Sequence, residues 1–311
     1  MKPLLFALPD AQRMAASVLA HWPCQAGELA LHRFPDEECR PVFSQPLAGR
    51  DVALVAQLDR PDAKLFALYL CARTARELGA RSVGLVLPYL PYMRQDTRFG
   101  PGEGTSARHV AALLSGCADW LATVDPHLHR FHRLDQVYTI PAVAVASAAP
   151  VAHWIRRHVP QPLVVGPDGE SAQWVAQVAA LAQCPYAVMQ KQRQGDREVS
   201  VTLAEGALTP GCTPVLLDDI ISSGRTMAAA IGKLREAGTA APVCVVVHAL
   251  FAGDALEVLR AAGPARIVSC NTIEHASNAI DVSLPLAQAA AALHQATLSQ
   301  PGREASCVSS S

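Results

Sequence analysis

Residues 214–227 read Pro-Val-Leu-Leu-Asp-Asp-Ile-Ile-Ser-Ser-Gly-Arg-Thr-Met, and an alanine-rich segment follows them. The apolar run 214–217 is typical of a strand buried inside a parallel sheet. The turn 222–226 offers hydroxyl groups, a glycine and the amides of a helix that begins there, which suits a phosphate group. Asp218 and Asp219, just before the turn, could hold sugar hydroxyls or waters on a magnesium ion. A plain strand–turn–helix corner, capped by the serine and threonine hydroxyls and with solvated carboxylates, would have the same sequence. A Walker loop is excluded because GxxxxGK[ST] is absent.

The composition of the chain predicts a two-domain protein with large cores. The chain has 311 residues, of which 50% are hydrophobic and 17% are charged. A net charge of −1 provides no general attraction to nucleic acid or to an acidic membrane. Nine cysteines without a CxxC pair indicate reduced core thiols. No apolar stretch reaches the length of a signal or membrane segment, so we expect a cytoplasmic protein.

Short apolar runs alternate with helical patterns along the chain, which predicts parallel β–α units. The predicted strands are 4–8, 29–34, 52–57, 82–87, 120–124, 163–166, 186–190, 214–219, 243–250 and 266–270. The predicted helices are 10–22, 63–78, 106–115, 170–182, 226–237 and 255–262. Prolines near the middle suggest domains at 1–147 and 148–298, with a disordered tail at 299–311. The two halves have a similar order of elements, which indicates a duplicated unit.

Two polar loops carry groups that can bind phosphate. The first follows the strand 82–87 and contains Arg94, Gln95, Asp96 and Arg98. Two arginines beside an amide and a carboxylate can grip a polyphosphate and a base edge together, although a solvated basic loop would look alike. The second loop, 190–197, is basic and follows a strand, as many exposed hairpin tips do.

Three further strand ends carry polar side chains. His127, His129 and His132 follow the strand 120–124, and this spacing fits either surface histidines or a zinc site, for which no cysteine or further carboxylate is arranged. Asp168 precedes a glycine turn, where an aspartate can also cap the next helix. Residues 33–38 place an aromatic ring and three acids in a loop that is otherwise an ordinary polar one.

Taken together, these segments resemble the ribose-phosphate pyrophosphokinases (PRPP synthases), whose ribose-phosphate loop is shared with the type I phosphoribosyltransferases. The resemblance is carried by Asp-Asp-Ile-Ile-Ser-Ser-Gly-Arg-Thr, Arg-Gln-Asp-Thr-Arg, Asp-Pro-His, Pro-Asp-Gly, Lys-Gln-Arg and Phe-Pro-Asp-Glu-Glu. Residues 100–108 resemble the archaeal-type branch. The resemblance implies an α/β fold with two similar type I phosphoribosyltransferase-like domains, each a mainly parallel sheet flanked by helices.

The same resemblance implies a ribose-phosphate diphosphokinase acting in nucleotide biosynthesis. Such an enzyme transfers the β,γ-diphosphoryl group of ATP to the anomeric hydroxyl of ribose 5-phosphate and yields PRPP and AMP. It implies Mg²⁺ as cofactor, no nucleic acid or membrane partner, and a homo-oligomer of two or more subunits. Two alternatives remain: a phosphoribosyltransferase that uses PRPP, and a non-catalytic regulatory subunit related to the synthase.

The resemblance also implies a role for each matching residue. Ribose 5-phosphate would be bound by Asp218, Asp219, Ser222, Ser223, Gly224, Arg225 and Thr226. ATP would be bound by Arg94 and Gln95 with Asp96 in support, and its adenine by a neighbouring subunit's Phe34, Asp36 and Glu38. The magnesium ligands would be His127 and Asp168, and the catalytic residues on a mobile flap would be Lys191 and Arg193.

Four positions depart from the family pattern. Glu37 replaces a glycine, so the loop is strained if that position needs a positive φ. Pro126 replaces an aliphatic residue, and Glu170 stands where a second glycine is usual. Arg225 replaces a glycine of the phosphate turn, where it could either add a clamp on the 5-phosphate or crowd the site.

Overall fold

The computed structural model describes residues 1–194, 198–202 and 211–299, and for 170, 190–194 and 198–202 it describes the backbone alone. The chain forms two compact units. Unit 1 comprises Met1–Val145 and the segment from Ser283 onward, and unit 2 comprises Ala146–Val282. The predicted tail beyond residue 299 lies outside the described residues.

Unit 1 is built on a parallel sheet of six strands with helices on its faces. Within its described residues, the unit as a whole contains eight strands, two of which (β3 and β4) lie outside this sheet. They are β1 (Leu4–Ala7), β2 (Gln25–Ala26), β3 (Leu29–Arg33), β4 (Cys39–Phe43), β5 (Asp51–Val55), β6 (Ser82–Leu87), β7 (Trp120–Val124) and β8 (Ala142–Val145). Its first three helices are α1 (Gln12–Leu19), α2 (Pro61–Glu77) and α3 (Ser106–Ser115). The sheet order is β2-β1-β5-β6-β7-β8. Every residue of β5, β6 and β7 is buried, as expected for strands covered on both faces.

The segment predicted as the strand 29–34 does not join this sheet. It forms β3, which pairs antiparallel with β4 in a separate hairpin. Leu29, Leu31 and Phe43 pack against the core of unit 1, while the residues between them face outward. The alternation of apolar and polar residues in this segment is therefore that of a hairpin with one face covered. The strand β4 was not predicted because its sequence contains a charged residue and a proline.

Unit 2 contains a second parallel sheet of six strands. Its strands are β9 (Pro162–Gly166), β10 (Tyr186–Val188), β11 (Gln190–Gln194), β12 (Glu198–Thr202), β13 (Thr213–Ile221), β14 (Val243–Ala249), β15 (Arg266–Cys270) and β16 (Asn278–Ile280). Its helices are α4 (Ala148–His158), α5 (Ala172–Ala182), α6 (Arg225–Glu236) and α7 (Ala255–Ala262). The sheet order is β10-β9-β13-β14-β15-β16, and β11 pairs with β12 in an antiparallel hairpin.

The two units repeat one topology. When the hairpins are set aside, the strands of each unit, numbered along the chain, lie in the order 2-1-3-4-5-6. Each hairpin is inserted between the second and third of these strands. The predicted duplication is confirmed at the level of fold. In such sheets ligands bind where the strand order reverses, which is between β1 and β5 in unit 1 and between β9 and β13 in unit 2.

The last helix, α8 (Ser283–Leu298), belongs to unit 1. The sequence-based division gave residues up to 298 to the second domain, but α8 packs against β6, β7, β8 and α1. Its His294 Nε2 lies 3.1 Å from Asp51 Oδ2, and both side chains are buried. The chain therefore returns to its first unit after completing the second. Within the described ranges, no helix is both long and apolar enough to cross a membrane.

Candidate active site

The phosphate-binding turn predicted from the sequence joins β13 to α6. The strand continues to Ile221, so Asp218 and Asp219 lie within its last residues and the turn follows at once. Gly224 precedes the helix with φ 71°. A Cβ at Gly224 would lie 3.0 Å from the carbonyl oxygen of Ala255 and 3.1 Å from Leu259 Cγ. Both the backbone conformation and the close approach of α7 therefore require glycine here.

The amino terminus of α6 is open. No side chain caps this twelve-residue helix within the described residues, and its first turn contains no acidic residue. The alternative of a corner capped by serine hydroxyls is therefore not what the chain forms. The first amides of an uncapped helix have no partner in the helix, and the helix dipole adds positive potential beside them. This terminus can accept an anion such as a phosphate group.

Three carboxylates converge at the strand-order reversal of unit 2. Burial raises the pKa of Asp218, and the negative charges of Asp219 and Asp168 raise it further. The Asp219 amide donates a hydrogen bond to Asp218 Oδ1 at 3.0 Å. Such a group of acids lowers its free energy by binding a cation or by accepting hydrogen bonds from hydroxyl groups.

Asp168 follows β9 and also organises its own turn. Its Oδ1 accepts the Ser171 amide at 3.2 Å, and the Ser171 hydroxyl donates to the Asp168 carbonyl oxygen at 2.7 Å. The residues Gly169–Ser171 form a single 3₁₀ turn before α5. The turn thus forms with Glu170 in place of the usual second glycine, and Asp168 stabilises this 3₁₀ turn instead of capping α5, whose N-cap residue is Ser171.

The predicted flap forms the hairpin β11–β12. Lys191 lies opposite Val201 and Arg193 opposite Val199. The hairpin starts next to the end of β9, two residues before Asp168, because the Met189 amide donates to the Gly166 carbonyl oxygen at 2.9 Å. The side chains of Lys191 and Arg193 lie outside the described residues, so their proposed contacts stay a prediction.

In unit 1, the loops after β6 and β7 meet at one edge of the sheet, because these strands are neighbours. Asp96 joins the loops: its two carboxylate oxygens accept the Arg130 amide and Arg130 Nη1, each at 2.9 Å. Burial alone would raise the pKa of Asp96, but these hydrogen bonds outweigh it and lower that pKa. Asp96 is 7% exposed, so it braces the two loops and does not face a ligand as Arg94 can.

Gln95 and Arg94 differ in their surroundings. The Gln95 side-chain amide spans its own loop, with Nε2 donating to the carbonyl oxygen of Thr97 at 3.1 Å and lying 3.4 Å from Glu103 Oε2. Arg94 is exposed.

Arg130, which the sequence did not single out, places its guanidinium 5.3 Å from the centre of the Phe99 ring. Only the fold reveals this residue, because no local pattern marks it.

His127 is half-buried after β7 and follows Asp125, whose φ is 31°. His129 Nδ1 lies 4.0 Å from Asp96 Oδ2, and in the described residues His127, His129 and His132 are not gathered into a group that could hold a zinc ion. Across the part of the chain that the structure describes, no group of three or more His, Cys, Asp or Glu side chains is arranged to hold a metal ion. A metal here would have to complete its coordination with substrate oxygens and water.

The hairpin β3–β4 presents the predicted adenine loop. Phe34 is 39% exposed, its ring lies edge-on to His32 at 4.7 Å, and the Arg40 guanidinium lies 5.8 Å above it. The Glu38 amide donates to Asp36 Oδ1 at 3.2 Å. Glu37 has φ 70°, the left-handed conformation that glycine adopts most easily. The suspicion of strain at this departure from the family pattern is confirmed.

Comparisons with known proteins agree with this geometry. The family model "N-terminal domain of ribose phosphate pyrophosphokinase" matches residues 4–117, and the "Phosphoribosyl transferase domain" matches residues 134–285. A ribose-phosphate pyrophosphokinase of Methanopyrus kandleri is 33% identical over 259 residues, which cover 83% of this chain and 88% of the relative. The chain belongs to the ribose-phosphate pyrophosphokinase family.

Other members of the family span the chain still more fully. The ribose-phosphate pyrophosphokinase of Halobacterium salinarum is 30% identical over 287 residues, which cover 92% of this chain and all of the relative. Among solved structures, a phosphoribosylpyrophosphate synthetase from Mycobacterium smegmatis has the same fold, with a TM-score of 0.83 and 23% identity over 95% of this chain and 100% of that one. The relatives from archaea agree with the archaeal-type features of residues 100–108.

Proposed function

We propose that this chain is a ribose-phosphate diphosphokinase that converts ATP and ribose 5-phosphate into PRPP and AMP. The observation that carries the proposal is the uncapped start of α6 directly after Asp218 and Asp219. A sugar phosphate needs an anion site beside acceptors for its hydroxyl groups, and this corner offers both within a few residues. Family membership supplies the reaction type.

Ribose 5-phosphate binds at this corner with its phosphate on the amides of 222–226. The hydroxyls of Ser222, Ser223 and Thr226 add donors, and Gly224 allows the backbone to come close. Asp218 and Asp219 accept hydrogen bonds from the ribose hydroxyls. Their crowding makes these acceptors strong, because each hydrogen bond received disperses charge that the neighbouring carboxylates repel.

ATP binds to the loop edge of unit 1. The exposed Arg94 pairs with the triphosphate, for which a guanidinium is well shaped. Gln95 reads the adenine, and Asp96 holds Arg130 and the loop in place. The exposed turn of β3–β4, with Phe34, completes the adenine pocket of a neighbouring subunit, together with Asp36 and Glu38. The protein therefore works as a homo-oligomer of two or more subunits.

The residues fit a magnesium ion as cofactor. The three crowded carboxylates of unit 2 favour a divalent cation. Magnesium is usually held by one or two protein groups with water and substrate phosphates, so a cage of three protein ligands is not needed. Asp168 in unit 2 and His127 in unit 1 are each proposed as a magnesium ligand. When bound, the ion neutralises charge on the phosphate oxygens.

The transfer itself demands positioning and charge neutralisation. The anomeric oxygen of ribose 5-phosphate forms a bond to the β-phosphorus of ATP, the bond from that phosphorus to the α,β-bridging oxygen breaks, and AMP leaves with that oxygen. The anomeric proton is lost to solvent or to a phosphate oxygen. Lys191 and Arg193 on the hairpin β11–β12 close over the reacting phosphates and stabilise the charge of the transition state.

An assay of AMP release tests the proposal. With magnesium and ATP, we expect AMP to form only when ribose 5-phosphate is present, in equal amount to PRPP. Consumption of PRPP with a free base would identify a phosphoribosyltransferase instead. Binding of ATP or of a second synthase chain without AMP release would identify a regulatory subunit. Asp218→Asn should abolish the reaction, whereas Glu257→Gln, on the exposed surface of α7, should not change it.

A further inference from the structure

Arg225 is held beside the phosphate turn by an acid from another helix. Its Nη2 lies 3.4 Å from Asp254 Oδ2. The two side chains are 66% and 57% exposed, so water reaches both partners. Arg225 is the first residue of α6, at the open start of that helix, and its guanidinium is already engaged with one anion.

Asp254 is placed to act on Arg225 more than on its own helix. It occupies the N-cap position of α7, where an aspartate usually accepts hydrogen bonds from the first amides of its helix. In the described residues its side chain makes no such cap, and its carboxylate meets Arg225 instead. The Asp254 carboxylate therefore pairs with Arg225 and does not cap α7.

The segment that carries Asp254 is fixed to the phosphate turn. The Phe251 amide donates to the Ile221 carbonyl oxygen and the Ala252 amide to the Ser222 carbonyl oxygen, both at 2.9 Å. Phe251 has φ 38°, an unfavourable conformation for a bulky residue, which persists only when its surroundings impose it. Close packing of Gly224 on α7 adds a third link. Asp254 therefore keeps a defined position relative to the turn.

We propose that Asp254 sets the affinity of the turn for the sugar phosphate by competing with the 5-phosphate for the Arg225 guanidinium. The inference rests on the proposed function. It assigns Arg225 the role of a clamp on the 5-phosphate, and Asp254 limits how strongly that clamp binds. When a phosphate dianion binds the α6 amides, Arg225 exchanges a singly charged carboxylate for a doubly charged anion. The released Asp254 is exposed enough to be solvated at little cost.

The size of the effect follows from the exposure of the pair. Exposed ion pairs are worth little because water screens them, so removing the competitor should tighten binding by about two- to fivefold. Direct repulsion between Asp254 and the phosphate would act in the same direction. The two causes differ in one respect: competition for Arg225 requires Arg225 to be present, and repulsion does not.

Calorimetric titration of the full-length protein with ribose 5-phosphate, without nucleotide, tests the inference. We expect Asp254→Asn to lower the dissociation constant about two- to fivefold. Arg225→Gly and Arg225→Gln should raise it, and Asp254→Asn added to either should have no further effect. Glu257→Gln is the matched control, because it removes an exposed carboxylate from the first turn of the same helix.

The outcomes separate this inference from the function on which it rests. If the wild-type protein binds ribose 5-phosphate but Asp254→Asn binds it equally or more weakly, Asp254 does not limit the clamp and the inference is wrong. An equal gain from Asp254→Asn in the Arg225→Gly background would also overturn it, in favour of plain repulsion. If the wild-type protein does not bind ribose 5-phosphate at all, the proposed function itself fails.

Discussion

Replacing Glu37 by glycine should stabilise the hairpin β3–β4. Glu37 has φ 70°, and a residue with a Cβ in that conformation costs roughly 1–2 kcal/mol relative to an ordinary one. Glycine loses more freedom on folding, which offsets roughly 0.5–1 kcal/mol. The Glu37 side chain is exposed, while the hydrogen bonds at this residue use its backbone, with its amide donating to the Phe34 carbonyl oxygen at 2.9 Å. The net gain is therefore about 0.5–1 kcal/mol for Glu37→Gly.

Two measurements detect this gain. For domains of the size of unit 1, about 1 kcal/mol corresponds to a rise of about 2–4 °C in the melting temperature, so calorimetry should give about 1–4 °C. If the hairpin opens on its own before unit 1 unfolds, the gain appears instead as slower hydrogen exchange of the Phe34 amide. This amide donates to the Glu38 carbonyl oxygen at 2.8 Å across the turn.

Glu38→Gly is the matched control for Glu37→Gly. It removes the same charge from the next position of the same turn, but Glu38 is not among the residues with positive φ. Glycine there relieves no strain and adds only unfolded-state freedom, so the melting temperature should fall. Opposite signs for the two variants support the reasoning. If Glu37→Gly lowers stability as much as Glu38→Gly does, strain at residue 37 is not significant.

Three further changes have defined outcomes. Asp218→Asn should raise the melting temperature of the ligand-free protein, since it removes the burial of a charged carboxylate and the repulsion that together raise the pKa of Asp218. Ribose 5-phosphate binding should weaken at least tenfold in calorimetry, and a lower melting temperature would contradict this. Burial opposes ionisation of Asp51, but hydrogen bonds from His294, Arg81 and other groups outweigh it and lower the pKa of Asp51. Its stabilisation should therefore be complete above the unfolded-state pKa of about 4 and be lost as the pH falls further, so Asp51→Asn should flatten the acid side of a stability–pH curve measured by urea unfolding. Lys191→Ala should lower kcat at least tenfold with little change in KM for ATP, and full turnover of this variant would exclude the flap role.

The sequence predicted best those strands and helices whose secondary structure follows from their own residues and not from distant contacts. The bounds of β6 and β7 agree to the residue with the predicted strands, because each is a mostly apolar run between turns. The helix α8 was missed, since its alanine-rich sequence carries little amphipathic pattern and its place depends on distant partners such as Asp51. Its assignment to unit 1 depends on contacts with residues far away in the sequence, which the local sequence of α8 does not indicate.

The same distinction holds for the candidate site. Asp218, Asp219 and the turn at 222–226 lie within one short segment, so the sequence alone indicated a turn suited to phosphate beside two carboxylates. Their roles toward ribose 5-phosphate come from the family resemblance and stay a prediction. The partnership of Asp96 with Arg130 joins residues 34 positions apart, and that of Arg225 with Asp254 joins residues 29 apart. Such pairs become visible only when neighbouring strands bring their following loops together.

The repeated topology lets the same corner be compared in its two copies. In unit 1, α2 also starts after a left-handed residue, Arg60 with φ 52°. The acids at that strand-order reversal already have an internal counter-ion, because Lys64 Nζ lies 2.8 Å from Asp59 Oδ1 and 3.4 Å from Asp10 Oδ2. One half of the molecule thus balances its acids with a lysine of its own chain. In the other half, the same corner brings Asp218, Asp219 and Asp168 together, and burial and their mutual repulsion raise the pKa of Asp218, so a cation arriving there from solution would relieve that repulsion.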